Sequence, residues 1–145
     1  MLNRKKHCYN RINLLLYSLL LLILCPFMTS CSSKQDYPKT SDIDYTIVTG
    51  SDIPSELKEL IKERRENSFE LSYSDGSYLY IVKGYGRHDT SGYNVSVTDL
   101  YQSDDNIIFE TDIKGPSEDD KVHERATYPY IVVKTEYMGN SVVFK

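Results

Sequence analysis

The apolar residues of this chain pass from a helical to a strand period near position 67, and that change decides most of what it can fold into. Before it, Ile53, Leu57, Leu60 and Ile61 fall at i, i+4, i+7 and i+8, one face of an amphipathic helix. Glu56, Lys58, Glu59, Lys62, Glu63 and Arg64 occupy the other face. Pro54 suits the first turn, where its missing N–H would be unpaired anyway. Arg64, Arg65 and Asn67 close the helix, with cations near its negative end. After it the period is two. Phe69–Tyr73 and Tyr78–Lys83 flank Ser74-Asp75-Gly76-Ser77, a hairpin sequence because Asp-Gly accommodates positive φ. In the second run Leu79 and Ile81 face one way, and Tyr78, Tyr80 and Val82 the other. That predicts a central strand covered on both sides.

Tyr93, Val95 and Val97 alternate with Asn94, Ser96 and Thr98, a half-buried strand whose alternation slips at Asp99-Leu100, as a β-bulge would make it. Ile107, Phe109, Thr111 and Ile113 pair back onto it through Ser103-Asp104-Asp105-Asn106. A β-branched run from Tyr45 to Val48 precedes the helix, while Tyr130–Thr135 and Val142–Phe144, the latter after Gly139-Asn140, complete the set. The pattern predicts an α+β domain over residues 42–145: a single antiparallel sheet of about six or seven strands with one amphipathic helix packed on it.

At 145 residues the chain has room for one core, and its charge balance limits its partners. Lys and Arg number 17 against 21 Asp and Glu, a formal net of -4. Arg4, Lys5, Lys6 and Arg11 come with no acid in the first 30 residues, so residues 31–145 hold 13 basic against 21 acidic groups, a net of -8. Nucleic acid is excluded as a partner, since its phosphates would repel such a body. The three cysteines are Cys8, Cys25 and Cys31, which excludes disulfide scaffolds, zinc fingers and a catalytic thiol in the domain that follows.

Those four basic residues precede an apolar stretch, Leu14–Leu24, that falls short of the ~20 residues of a membrane-spanning helix. Residues 1–30 read as a signal peptide, with small Thr29 and Ser30 giving a peptidase access to the backbone before Cys31. Met28-Thr29-Ser30-Cys31 resembles the lipobox of bacterial lipoproteins, with Met28 where that family usually has Leu. The resemblance implies lipidation of Cys31, cleavage before it, and a protein anchored at the extracytoplasmic face of the cell membrane. Two or three acyl chains, at about 0.8 kcal/mol per buried methylene, would hold it there. The alternative is an uncleaved anchor helix, interrupted by Pro26. Residues 31–41 read as a flexible tether.

Two segments stand apart from the strand pattern. Gly84-Tyr85-Gly86-Arg87-His88-Asp89-Thr90-Ser91-Gly92-Tyr93 carries three glycines in ten residues, and Ala126-Thr127-Tyr128-Pro129-Tyr130 leads into Ile131-Val132-Val133. The spacing of Gly86, basic Arg87, Thr90, Gly92 and Tyr93, followed by Thr-Tyr-Pro-Tyr and a Val-rich strand, resembles the protease complex subunit PrcB family. Asp89 stands where that family usually has Pro, and Ser91 where it has the first of two glycines. The resemblance runs from about Ile53 to Thr135. It implies a small extracytoplasmic domain, often on a lipoprotein, without catalytic activity, named for a component of a spirochaete surface protease complex. The candidate partner-binding residues are Gly86, Arg87, His88, Asp89, Thr90, Ser91, Gly92, Tyr93, Tyr128 and Tyr130. Asp89-Thr90-Ser91-Gly92-Tyr93 is also similar, over five positions, to the cleft-inserting loop of chagasin-type cysteine protease inhibitors. A purely structural role stays open for both segments: a crossover for the glycines, a fixed strand entry for Thr127-Tyr128-Pro129.

No enzyme is expected. His88, Asp89 and Ser91 are adjacent on one turn, where such side chains rarely converge, and no Gly-x-Ser-x-Gly elbow is present. Glu118-Asp119-Asp120 and Asp104-Asp105-Asn106 lack the alternating ligand spacing of a calcium loop, and His123 beside Glu124 is a lone histidine, so neither metal nor cofactor is expected. Eleven tyrosines in residues 32–145, with no tryptophan, could form a recognition face, but strand propensity explains most of them. Two functions remain: a lipid-anchored, non-enzymatic module that binds or helps assemble an extracytoplasmic protease or other surface protein, and a protease inhibitor acting through Gly84–Tyr93.

Overall fold

The helix forms where the 3.6-residue period places it. A computed structural model describes residues 36–145, and in it α1 runs Ser55–Arg64. The expected signal peptide, Cys31 and the first part of the tether lie outside the described residues. Pro54 stands just ahead of the helix rather than inside its first turn, and its carbonyl accepts the Lys58 N–H at 3.0 Å. Ile53, Leu57 and Ile61 are buried, while Leu60 sits at the margin, half-buried. Among the described residues no helix is long and apolar enough to cross a membrane.

The described residues contain ten strands: β1 Ser41–Asp42, β2 Thr46–Ile47, β3 Ser68–Ser74, β4 Tyr78–Tyr85, β5 His88–Thr90, β6 Asn94–Ser103, β7 Asn106–Lys114, β8 Glu124–Thr127, β9 Tyr130–Glu136 and β10 Ser141–Phe144. They do not make the expected single sheet. Two four-stranded sheets, in the orders β1-β6-β7-β10 and β2-β9-β4-β3, are joined by a two-stranded ribbon, β5-β8. Nor is the pairing wholly antiparallel, because β10 runs parallel to β7 from Ser141 opposite Asn106 to Phe144 opposite Phe109.

The physical reason is that β4 and β9 carry apolar residues on both faces, and one helix covers only one face. Tyr80, Val82 and Val132 pack against Ile53, Leu57 and Ile61 on the α1 side. Leu79, Ile81, Ile131 and Val133 point the other way, where β6 and β7 supply Leu100, Ile107 and Phe109. A single sheet would have left that second face in water. β4 is central as expected, hydrogen-bonded to β3 on one side and β9 on the other.

Between β6 and β7 the register steps from Val97 opposite Thr111 to Asp99 opposite Glu110, leaving Thr98 as the extra residue of a bulge. Without it Leu100 would fall on the face opposite Val95 and Val97, yet all three belong to the inter-sheet core. The β3–β4 hairpin turns at the expected place. There the Asp75 carboxylate accepts the Tyr78 N–H at 2.8 Å, the Ser77 N–H at 3.0 Å and the Tyr80 hydroxyl at 3.3 Å. The two backbone donors, Tyr78 first, hold its pKa below the usual aspartate value. The end of the expected tether lies along β6: the Thr40 N–H and hydroxyl both donate to the Gln102 carbonyl at 2.8 Å, and the Tyr101 hydroxyl donates to the Tyr37 carbonyl at 3.2 Å.

Candidate functional site

The site is built where β4 leaves its sheet. Gly84 sits directly across from Phe69, and the Phe69 ring occupies the space a Cβ would take: an ideal Cβ falls 2.1 Å from Cε1. Two residues on, Gly86 is buried with φ 79°, and a Cβ there would lie 3.0 Å from the Ser68 backbone nitrogen. Only glycine combines that torsion with that approach. The chain is then fastened to the end of the helical segment by the Arg87 N–H, which donates to the Glu66 carbonyl at 3.2 Å.

From this root the two segments singled out by sequence come together. His88 pairs with Thr127 and Thr90 with Glu124, with an irregularity between them, so the glycine-rich stretch is not an open loop but one strand of the β5-β8 ribbon. The Thr127 hydroxyl donates to the Thr90 carbonyl at 2.6 Å. The Ser91 N–H donates to the His123 carbonyl at 3.0 Å, and the His123 N–H donates to Ser91 Oγ at 2.9 Å. Gly92, with φ 97°, ends the strand against Pro116, whose Cβ would be 2.8 Å from an added Cβ.

Alternation along β5 sorts its side chains. Arg87, just before the strand, and Asp89 are exposed and pair with each other at 2.6 Å. His88 and Thr90 turn inward and are half-buried. The His88 ring stacks on Tyr93 with 4.0 Å between centroids and 39° between planes. Its Nε2 is buried and has no hydrogen-bond partner among the described residues. His88, Asp89 and Ser91 therefore do not converge: one stacks on tyrosine, one pairs with arginine, and one binds the His123 backbone. Among the described residues no group of three or more His, Cys, Asp or Glu is placed to hold a metal ion.

Tyr128 and Tyr130 belong to a second, adjoining group. Tyr85 N–H donates to the Pro129 carbonyl at 3.0 Å and fixes the strand entry between them. The Arg65 guanidinium lies 4.3 Å from the centre of the Tyr128 ring. Both tyrosines, with Lys58, Ile61, Lys62 and Arg65, line a groove of about 300 Å³. Sequence reading missed these helix residues. Lys58, Lys62 and Arg65 are spaced as any solvated helix face is, and nothing local shows that two tyrosines from β9 and its entry lie opposite.

Residues 79–136 match the family model described as PrcB C-terminal. The match begins in β4 and ends in β9, so it takes in Gly86, Gly92, both strands of the ribbon and both tyrosines of the groove, and leaves out α1. No curated protein and no solved structure matches the chain.

Proposed function

We propose that this protein, whose residues 79–136 match the PrcB C-terminal family model, is a non-enzymatic subunit that binds, or helps assemble, an extracytoplasmic protease or other surface protein. The observation that carries this reading is the β5-β8 ribbon. It presents Arg87 and Asp89 to solvent on a base held by Gly86, Gly92 and the His88–Tyr93 stack. A contact surface that is already ordered loses less conformational freedom on binding than a mobile loop would. Attachment to the outer face of the membrane through a lipid on Cys31 completes the proposal, resting on Met28-Thr29-Ser30-Cys31 after the apolar stretch.

The experiment is capture from membranes with the full chain, followed by a protease assay on the captured fraction. Arg87→Ala with Asp89→Ala removes an exposed pair, whose contribution to stability is at most about 1 kcal/mol, so the melting temperature should fall by no more than a few degrees. Partner affinity should fall at least tenfold, about 1.4 kcal/mol. Capture unchanged by the double substitution would overturn the reading. Protease activity retained or raised in the captured fraction supports assembly, and activity abolished on binding supports inhibition through the same strand.

A further inference from the structure

The groove beside the ribbon concentrates positive charge on an acidic body. Residues 31–145 carry a net of -8, yet the groove is lined by three cations, Lys58, Lys62 and Arg65, and by no carboxylate. Its other walls are Ile61, Tyr128 and Tyr130. Among the described residues neither Lys58 nor Arg65 has a carboxylate within salt-bridge distance, and Lys62 has only Glu59, at 3.9 Å and largely exposed. Offsetting the helix dipole accounts for Lys62 and Arg65, which lie at the C-terminal end. It does not account for Lys58 in the first half of the helix, nor for two tyrosines facing the cations. A guanidinium already oriented over an aromatic ring keeps its planar fork available for a carboxylate.

We infer that this groove binds an acidic peptide segment of the protein partner, its carboxylates meeting Lys58, Lys62 and Arg65 and its backbone or apolar stems lying on Tyr128 and Tyr130. The inference rests on the partner-binding reading and names the chemistry of what is bound. An anionic lipid surface is the competing occupant. It is disfavoured because the three cations line a groove of about 300 Å³ together with Tyr128 and Tyr130, a shape that takes a short peptide segment, rather than spreading over a flat face that a bilayer could meet.

The test uses the full chain in detergent micelles and fluorescence anisotropy with labelled hexaglutamate and hexaglutamine. Hexaglutamate should bind at least about tenfold more tightly, and the difference should shrink as salt rises from about 50 to 500 mM. Lys58→Gln with Lys62→Gln should remove at least about tenfold of that affinity while leaving the melting temperature within a few degrees, since both positions are exposed. Lys114→Gln with Lys121→Gln changes the net charge equally outside the groove and should leave binding unchanged. Equal affinity for the two peptides, or equal loss in the control pair, overturns the inference. So does retention on phosphatidylglycerol over phosphatidylcholine vesicles that depends on Lys58 and Lys62 without hexaglutamate binding, which would assign the groove to lipid. If hexaglutamate fails while membrane capture still depends on Arg87 and Asp89, the groove assignment falls and the partner reading stands. If capture does not depend on Arg87 and Asp89 but hexaglutamate binds, the reverse holds.

Discussion

Gly84→Ala should cost this fold about 2 kcal/mol, and the cost should vanish when Phe69 is removed. The Phe69 ring folds over Gly84 across the β3–β4 pair, and three of its atoms lie 2.1, 2.6 and 2.6 Å from where a Cβ would stand. Real Cβ atoms do not approach so closely, so the ring must swing away. Phe69 packs half-buried against the α1-side core, so losing about half the value of a buried phenylalanine costs roughly 1 kcal/mol. Strain in the displaced rotamer and its neighbours adds about 1–3 kcal/mol. Against this, alanine is favoured over glycine inside a strand by about 0.5–1 kcal/mol. The net of about 2 kcal/mol corresponds to a fall in melting temperature of roughly 8 °C for a domain of this size. In a Phe69→Ala background the collision is absent, and Gly84→Ala should be neutral or stabilising by up to about 1 kcal/mol. Urea unfolding of the four proteins, followed by far-UV circular dichroism because the chain has no tryptophan, gives the coupling energy. A coupling below about 0.5 kcal/mol would refute the argument that the ring fills the space of the missing side chain.

What was legible in the sequence was what the sequence decides locally. The helix, the Asp75-Gly76 hairpin and the slip in β6 each depend on residues within one or two turns of each other, and each forms within two residues of its expected place. The two-faced character of β4 was legible as well, but its consequence was drawn one layer short. Apolar side chains on both faces demand two covering layers, and only tertiary structure shows that β6 and β7 leave the first sheet to become the second. The parallel pairing of β10 with β7 is equally invisible, since a four-residue apolar strand fits either direction. At the site, Gly86 and Gly92 could be singled out because positive φ has a residue preference, and both have it. The ribbon could not. His88–Thr90 and Glu124–Thr127 are short and polar, and their pairing is set by contacts between residues more than thirty positions apart. The groove was hidden for the same reason: its cations come from α1 and its C-terminal end, and its tyrosines from β9 and the residues just before it, far apart in sequence.

Three further outcomes are open to measurement. The Asp75 pKa is depressed in the folded state, so its contribution to stability is present above the ordinary aspartate pKa and lost as pH falls through the lowered one. The stability gap between wild type and Asp75→Asn should therefore narrow on acidification from about pH 6 to about pH 2, and a constant gap would contradict the hydrogen-bonding account. Cys31→Ala should abolish labelling by radioactive fatty acid and block processing of the precursor, and normal labelling and shortening would dismiss the lipoprotein reading. The last concerns His88, whose ring is held by Tyr93 while its Nε2 is buried without a partner. An unpaired buried polar group costs about 1–3 kcal/mol, so His88→Phe, which keeps the stack and removes the nitrogen, should leave stability unchanged or raise it by up to about 1 kcal/mol. His88→Ala loses the aromatic pair and should cost about 0.5–1.5 kcal/mol. The two substitutions separate packing from polarity at one position. If phenylalanine costs as much as alanine, the nitrogen has a favourable partner in the folded protein, and the inward face of the ribbon is a polar contact rather than a packed base.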